Sequence, residues 1–210
     1  MIKKNLKLLI ITSIIVLLPV IIGLIFWDKL PDEIPSHWNI SGEIDGWSSK
    51  PFSVFGLPLI LLAIQWSVVL VSLADPKRKN HSPKILNLMF WLIPVLSVVL
   101  SLVSYLSAMG MEVHVELVIP IILGLFFVAI GNYMPKCKQN YTIGIKLPWT
   151  LNNEENWNKT HRLGGWLLII GGIGMIIAGF LNEIWMFIPI ALIVTIIPAI
   201  YSYVLHRKGL

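Results

Sequence analysis

Six long apolar stretches, at 8–27, 52–73, 85–107, 117–133, 164–181 and 184–205, leave this chain few folds to choose from. A helix needs about 20 apolar residues to cross the hydrocarbon layer, and each stretch comes close to that length. Composition agrees: 56% of the residues are hydrophobic and 13% are charged, against about 25% charged in a soluble domain. The expected fold is an all-α integral membrane protein with six transmembrane helices. The first stretch is full span length and ends Ile25-Phe26-Trp27 with no small-residue cleavage site, so it reads as an uncleaved first helix rather than a signal peptide. A single cysteine, Cys137, excludes an internal disulfide framework and a cysteine-based zinc cluster.

Charge placement gives the orientation. Lys3, Lys4, Lys7, Lys77, Arg78, Lys79, Lys84, Lys136, Lys138, Lys146, Lys159, Arg162, Arg207 and Lys208 fall on one side of the six-span topology, which is 14 of the 16 basic residues. Lys29 and Lys50 fall on the other. Cytoplasmic loops carry the Lys/Arg excess, so both termini are expected on the cytoplasmic side of the membrane. Eight of the 11 acidic residues lie on the outer side, and Asp75, Glu154 and Glu155 are the exceptions. The expected organisation is a region of two spans over 1–73, with an extracellular loop at 28–51. A four-helix region over 74–210 follows, with a cytoplasmic loop at 134–163.

The outer segment reads DKLPDEIPSHWNISGEIDGWSSKP. Pro31 and Pro35 bias their neighbours to extended backbone, while Ser41-Gly42 and Asp45-Gly46 are turn signals. This predicts a compact extracellular lid loop with Trp38 and Trp47 at headgroup depth. Glu33, His37, Glu43 and Asp45 lack any diagnostic ligand spacing, so a hydrogen-bonded surface loop is expected and no metal site.

The inner stretch NYTIGIKLPWTLNNEENWNKTHRLGGW, 140–166, holds three of the nine tryptophans. Asn152 and Asn153 are good helix N-caps, with Glu154 and Glu155 in the first turn, where carboxylates suit the helix dipole. Trp157, His161 and Gly164 recur at i, i+4 and i+7. A short inner amphipathic helix running into the fifth span is predicted, preceded by an extended arm over 144–150. Two readings remain for this segment: an interfacial anchor, or a functional site.

The spans hold no ionisable residue near their centres, which argues against an ion-coupled pump. Ser97, Ser101 and Ser104 form a polar stripe, and with Gln65 they would line the path in the alternative reading, a transporter of a small amphiphile. Gly124 with Gly131, and Gly164 with Gly171, Gly174 and Ala178, are expected to let helices approach closely. No catalytic motif of a known hydrolase, zinc protease or nucleotide-binding enzyme is present, so no catalytic residue, enzyme activity or cofactor is expected. The basic residues are dispersed over several loops, which argues against direct nucleic-acid binding.

The motifs N-Y-T-I-G-I-K-L-P-W-T-L and N-x-x-x-W-x-x-x-H-R-L-G-G-W resemble the signature of the SdpI family of bacterial multi-pass membrane proteins. The outer L-P-x-x-I-P-x-H-W-N-x-x-G-x-x-D, with Ser49-Lys50-Pro51 after it, resembles the domain of unknown function often found N-terminal to that signature. The resemblance implies immunity to a secreted, membrane-active toxin peptide. It also implies a receptor role, drawing a transcriptional repressor to the membrane; an envelope-stress sensor is a further alternative. Carried over by position, Pro35, His37, Trp38, Asn39, Gly42, Asp45 and Lys50 would form the toxin-side element. Asn140, Gly144, Lys146, Pro148, Trp149, Thr150, Trp157, His161 and Arg162 would form the cytoplasmic element. Lys146 stands where the family commonly has Arg, which keeps the charge and loses the bidentate fork.

Overall fold

The computed structural model describes residues 2–39 and 41–210; Ile40 and the side chains of residues 2–4 and 184 lie outside the description, so the charges of Lys3 and Lys4 do as well. Among the described residues six helices are long and apolar enough to cross a membrane, at Asn5–Ile25, Phe52–Ala74, Pro83–Ala108, Val115–Lys136, Glu154–Phe180 and Phe187–Arg207. By element they are α1 (Ile2–Ile25), α2 (Leu57–Ala74, led by a π-helical turn at Phe52–Gly56), α3 (Pro83–Ala108), α4 (Val115–Tyr133), α6 (Glu154–Phe180) and α7 (Phe187–Arg207). A five-residue helix, α5 (Pro148–Asn152), precedes α6, so positions 148–150 of the arm expected to be extended are helical. The amphipathic helix expected ahead of the fifth span is the first part of α6 itself, with no break between them.

The segment between the first two spans contains an antiparallel hairpin, β1 (Glu33–Trp38) and β2 (Ile44–Ser49). Pro35 hides it from a pattern reading. In a two-stranded ribbon each strand has an open edge, and that is where a proline is tolerated. The register slips at Ser36 on β1 and at Asp45 on β2, each an extra residue opposite its partner strand.

The chain forms two compact units, Met1–Leu73 with Met89–Val115, and Ala74–Leu88 with Glu116–Leu210. The polarity of each is inverted relative to a water-soluble domain. Ile14, Ile21, Leu59 and Leu70 are exposed in the first unit, as are Ile170, Ile173 and Ile188 in the second. Buried positions include Thr12, Gln65, Ser97, Asn156 and Ser202.

In the first unit those polar groups tie helices together. Gln65 Nε2 donates to Thr12 Oγ1 at 2.7 Å, joining α2 to α1, and Ser97 Oγ donates to the Val16 carbonyl at 2.8 Å, joining α3 to α1. Leu30, Ile34, Val54 and Tyr105 form a small apolar core beneath the hairpin.

In the second unit glycine does the joining. A Cβ on Gly124 would lie 2.5 Å from the Gly172 carbonyl oxygen, and one on Gly131 would lie 2.6 Å from that of Gly165. The backbones of α4 and α6 therefore touch. A second α6 stripe, Gly164 and Gly171, receives Pro198, Val194 and Ile190 of α7. The sequence pattern exposes that second stripe but not the Gly165, Gly172 and Gly179 stripe facing α4. Gly172→Val should separate α4 from α6 and destabilise the unit by about 1–3 kcal/mol. Thermal unfolding of the detergent-solubilised protein would measure it, and an unchanged melting temperature would refute the contact.

Candidate functional site

The inner stretch folds from its own turn chemistry. Asn140 is fully buried, and its Oδ1 accepts the N–H groups of Thr142 (2.9 Å) and Ile143 (2.7 Å), an Asx turn. Its Nδ2 returns to the carbonyls of Lys138 and Ile143. Gly144 follows at φ +120°, a conformation L side chains avoid, and a Cβ there would strike His161 Nε2. Pro148 occupies the first turn of α5, where its missing N–H costs nothing. Thr150 Oγ1 accepts the Leu147 N–H and donates towards the Ile145 and Leu147 carbonyls, all at 2.9 Å. Asn153 caps α6 by accepting the Asn156 N–H at 2.9 Å.

α6 supplies the wall against which this arm rests. Trp157 and His161 are fully buried and stacked, with ring centroids 3.9 Å apart. Trp157 Nε1 donates to the Cys137 carbonyl at 2.7 Å. His161 Nδ1 lies 2.8 Å from the Trp157 carbonyl and Nε2 lies 2.9 Å from the Ile145 N–H. A carbonyl can only accept and an amide N–H can only donate, so the ring is the Nδ1–H tautomer with both nitrogens committed. His161 is a strut holding the arm to the helix. Next to it, Asn156 bonds the Ser202 carbonyl and hydroxyl, joining α6 to α7.

The arm's other support was not foreseen from the sequence. Asp75, just past α2, is buried; its Oδ2 accepts the Tyr141 N–H (2.9 Å) and the Thr142 hydroxyl (2.7 Å) and sits 3.2 Å from His81 Nε2. Its Oδ1 accepts the Lys77 N–H at 2.7 Å. Lys77 Nζ and Asn80 Nδ2 reach the Gln139 side chain and carbonyl. The loop after α2 is thus tied to the arm. Burial pushes the Asp75 carboxyl up, and the donors from Thr142, Lys77, Tyr141 and His81 together outweigh it, leaving its pKa below the ordinary 3.8. The available signal was its position, an acidic residue on the basic side of the chain.

Of the nine cytoplasmic-motif residues, Asn140, Gly144, Thr150, Trp157 and His161 meet in this one network. Lys146 and Arg162 are exposed, and Pro148 is on the surface of α5. Trp149 leaves the network and stacks on His206 (5.7 Å, 13°) with its edge to Tyr203. It helps line a cavity of about 370 Å³ with Asn152, Asn153 and His206. Burial pushes the Cys137 thiol up, away from the thiolate a nucleophile needs, with Asn140 Nδ2 3.3 Å from its Sγ opposing that shift.

The outer-motif residues organise the hairpin. Asn39 Oδ1 accepts the N–H groups of Ser41 and Glu43, its Nδ2 donates to the Glu43 carboxylate, and Gly42 takes φ +79° in the turn. His37 Nδ1 pairs with Asp45 at 2.5 Å across the strands on the exposed side. Pro35 is buried. Lys50 Nζ lies over the Trp27 ring, 3.3 Å from the Trp27 carbonyl and 3.6 Å from Asp32. Trp38 is half-buried and faces a cavity beneath the hairpin.

Comparison with known proteins falls on these two elements. Residues 136–202 match the SdpI/YfhL protein family, and residues 14–62 match a domain of unknown function, DUF1648. The chain carries an SdpI-family domain. It is similar to the immunity protein SdpI of Bacillus subtilis (strain 168), 29% identical over 209 residues, which is 98% of this chain and 97% of that protein. No solved structure matched the chain. The SdpI-family match begins at Lys136, one residue before Cys137, whose carbonyl receives the Trp157 indole. Asp75 lies outside both matched regions and closes the same network.

Asp75→Ala should free the Tyr141 and Thr142 donors. At about 2 kcal/mol for a hydrogen bond to a charged acceptor, amide exchange there should accelerate roughly 30-fold in a native-state exchange measurement, and unchanged protection would refute the tie. With the folded pKa depressed, the carboxylate's contribution is complete above the ordinary carboxylate pKa and is lost as pH falls through the folded value. Arm exchange should therefore show an acid-side rise that Asp75→Asn abolishes.

Proposed function

We propose that this chain is a bacterial membrane immunity protein giving resistance to a secreted, membrane-active toxin peptide. The observation that carries this reading is the similarity to an immunity protein along almost its entire length. The reading also fits what the side chains do. The one buried histidine of the inner arm spends both nitrogens on backbone, and the cysteine is a buried thiol. Neither group is set up as a nucleophile or general base, which supports a non-enzymatic reading.

In this reading both termini face the cytoplasm, as the Lys/Arg bias favours, and the hairpin faces the toxin. It is bordered by Asp28, Asp32, Glu33, Glu43 and Asp45 against Lys29 and Lys50, an acidic field that would concentrate a cationic peptide. The arm, clamped by His161 and Asp75, would hold Lys146, Trp149 and Arg162 in fixed positions as a docking face for a transcriptional repressor. Toxin bound outside would then act by changing the population of that face.

The test is survival of a sensitive bacterium expressing the protein under challenge with secreted membrane-active peptides. Trp149→Ala should insert normally, keep the arm's amide protection, and lose repressor recruitment. Trp149→Ala combined with His161→Ala should also lose the ordered arm and protection. Full protection by the correctly inserted double variant would sink the assignment of the inner arm. Orientation is checked separately, in a Cys137→Ser background. A membrane-impermeant maleimide should label Ser41→Cys in intact cells and Lys138→Cys only after permeabilisation; the reverse pattern would invert the topology.

A further inference from the structure

The serine stripe of α3 has a use that the immunity reading leaves unassigned. Ser97 is taken up by the Val16 carbonyl, but Ser101 and Ser104 line a cavity of about 340 Å³ beneath the hairpin. The hairpin closes it with Ser36, Trp38 and Ser48, and Tyr105 closes it from α3. Ser36 is the extra residue of the β1 bulge, and such bulges re-aim a side chain out of the regular alternation. His37, next in line, turns to the exposed side and pairs with Asp45.

Two features define what fits. No Asp, Glu, Lys, Arg or His lines the cavity among the described residues. Lys50 is engaged by Asp32 and the Trp27 carbonyl. Ser101 is 1% exposed, and its hydroxyl comes close to that of Tyr105 without the angles of a hydrogen bond to it or to any other partner among the described residues. Other span hydroxyls, those of Thr12, Ser67, Ser72 and Thr195, return to the carbonyl four residues back. A buried hydroxyl left unpaired is costly, and Ser101 is among the residues lining a space shared with four further serines and a tryptophan.

We propose that this cavity is a binding pocket for an uncharged peptide segment, an apolar side chain together with a backbone amide or hydroxyl. A phospholipid headgroup is the wrong chemistry, because its phosphate calls for Lys or Arg, and an acyl tail would leave the hydroxyls unpaired. That the segment belongs to the toxin rests on the function proposed above; the chemistry of the pocket does not.

The experiment uses the full chain in nanodiscs, with N-acetyl-leucinamide as probe and ligand-observed saturation-transfer NMR as readout. N-acetyl-leucine at neutral pH supplies the same side chain with a carboxylate, and diheptanoylphosphatidylcholine supplies a lipid competitor. The expected result is saturable millimolar binding of the amide, at least tenfold weaker binding of the acid, and no displacement by the lipid. Ser36→Trp, placed on an exposed bulge, should fill the pocket and abolish binding without changing the melting temperature. Ser101→Ala, which removes one hydroxyl, should weaken binding at least threefold. Equal binding of the acid, displacement by the lipid, unchanged binding in Ser36→Trp or no saturable binding by the wild type would each overturn the pocket. Amide binding with these variant effects, alongside failure in the survival test, would keep the pocket and remove the toxin as its source.

Discussion

Within the hydrocarbon layer there is no water to satisfy a polar group, and burying apolar surface gains nothing that lipid tails do not already offer. Helices in this chain therefore associate through close contact and a few directed hydrogen bonds. Glycines on α6 bring its backbone onto α4 along one face and receive side chains of α7 on another. In the other unit, Thr12 with Gln65 and Ser97 with Val16 do the same work with hydroxyl and amide groups. Most polar groups buried there are satisfied. Ser13 Oγ, Gln65 Oε1 and Ser101 Oγ are not, and of these three residues Ser101 lines the cavity beneath the hairpin.

Outside the helices the same accounting produces the inner arm. A chain leaving α4 and re-entering at α6 carries many backbone donors and acceptors at the edge of a dry layer. Asn140, Thr150, His161 and Asp75 each satisfy several of them. Residues of types associated with ligand binding are thus used to fix a backbone. The fixed backbone displays Lys146, Arg162 and the Trp149 cavity, the face proposed above for a partner. A preordered face of this kind suits a partner that must be met at a defined geometry.

Legibility in the sequence followed the range of the interaction. The six spans, the Trp157/His161 face, the Asn153 cap and the Gly42 turn all depend on neighbours within a few residues, and the pattern exposes them. The hairpin was hidden because Pro35 breaks the alternation that announces a strand. The Gly165, Gly172 and Gly179 stripe was hidden because a helix with glycine on two faces does not say which neighbour each face meets. Asp75 is 66 residues from Tyr141, and no local rule reaches that far. Gln65 and Ser97 would line a solute path in the transporter alternative, and their partners on α1 place both in helix contacts.

By itself the sequence determined the class of environment, the number of crossings, the charge asymmetry across them and the two motif-bearing segments, because hydropathy, net charge and turn chemistry are properties of the residues in order. The tertiary structure alone decided which polar groups are spent. It turned His161 from a candidate site residue into a strut, recruited Asp75, separated Trp149 from its motif neighbours and left the Ser101 hydroxyl without a partner beneath the hairpin. Those outcomes depend on distances and directions between residues far apart in the chain, and a hydrogen bond exists only where both are met.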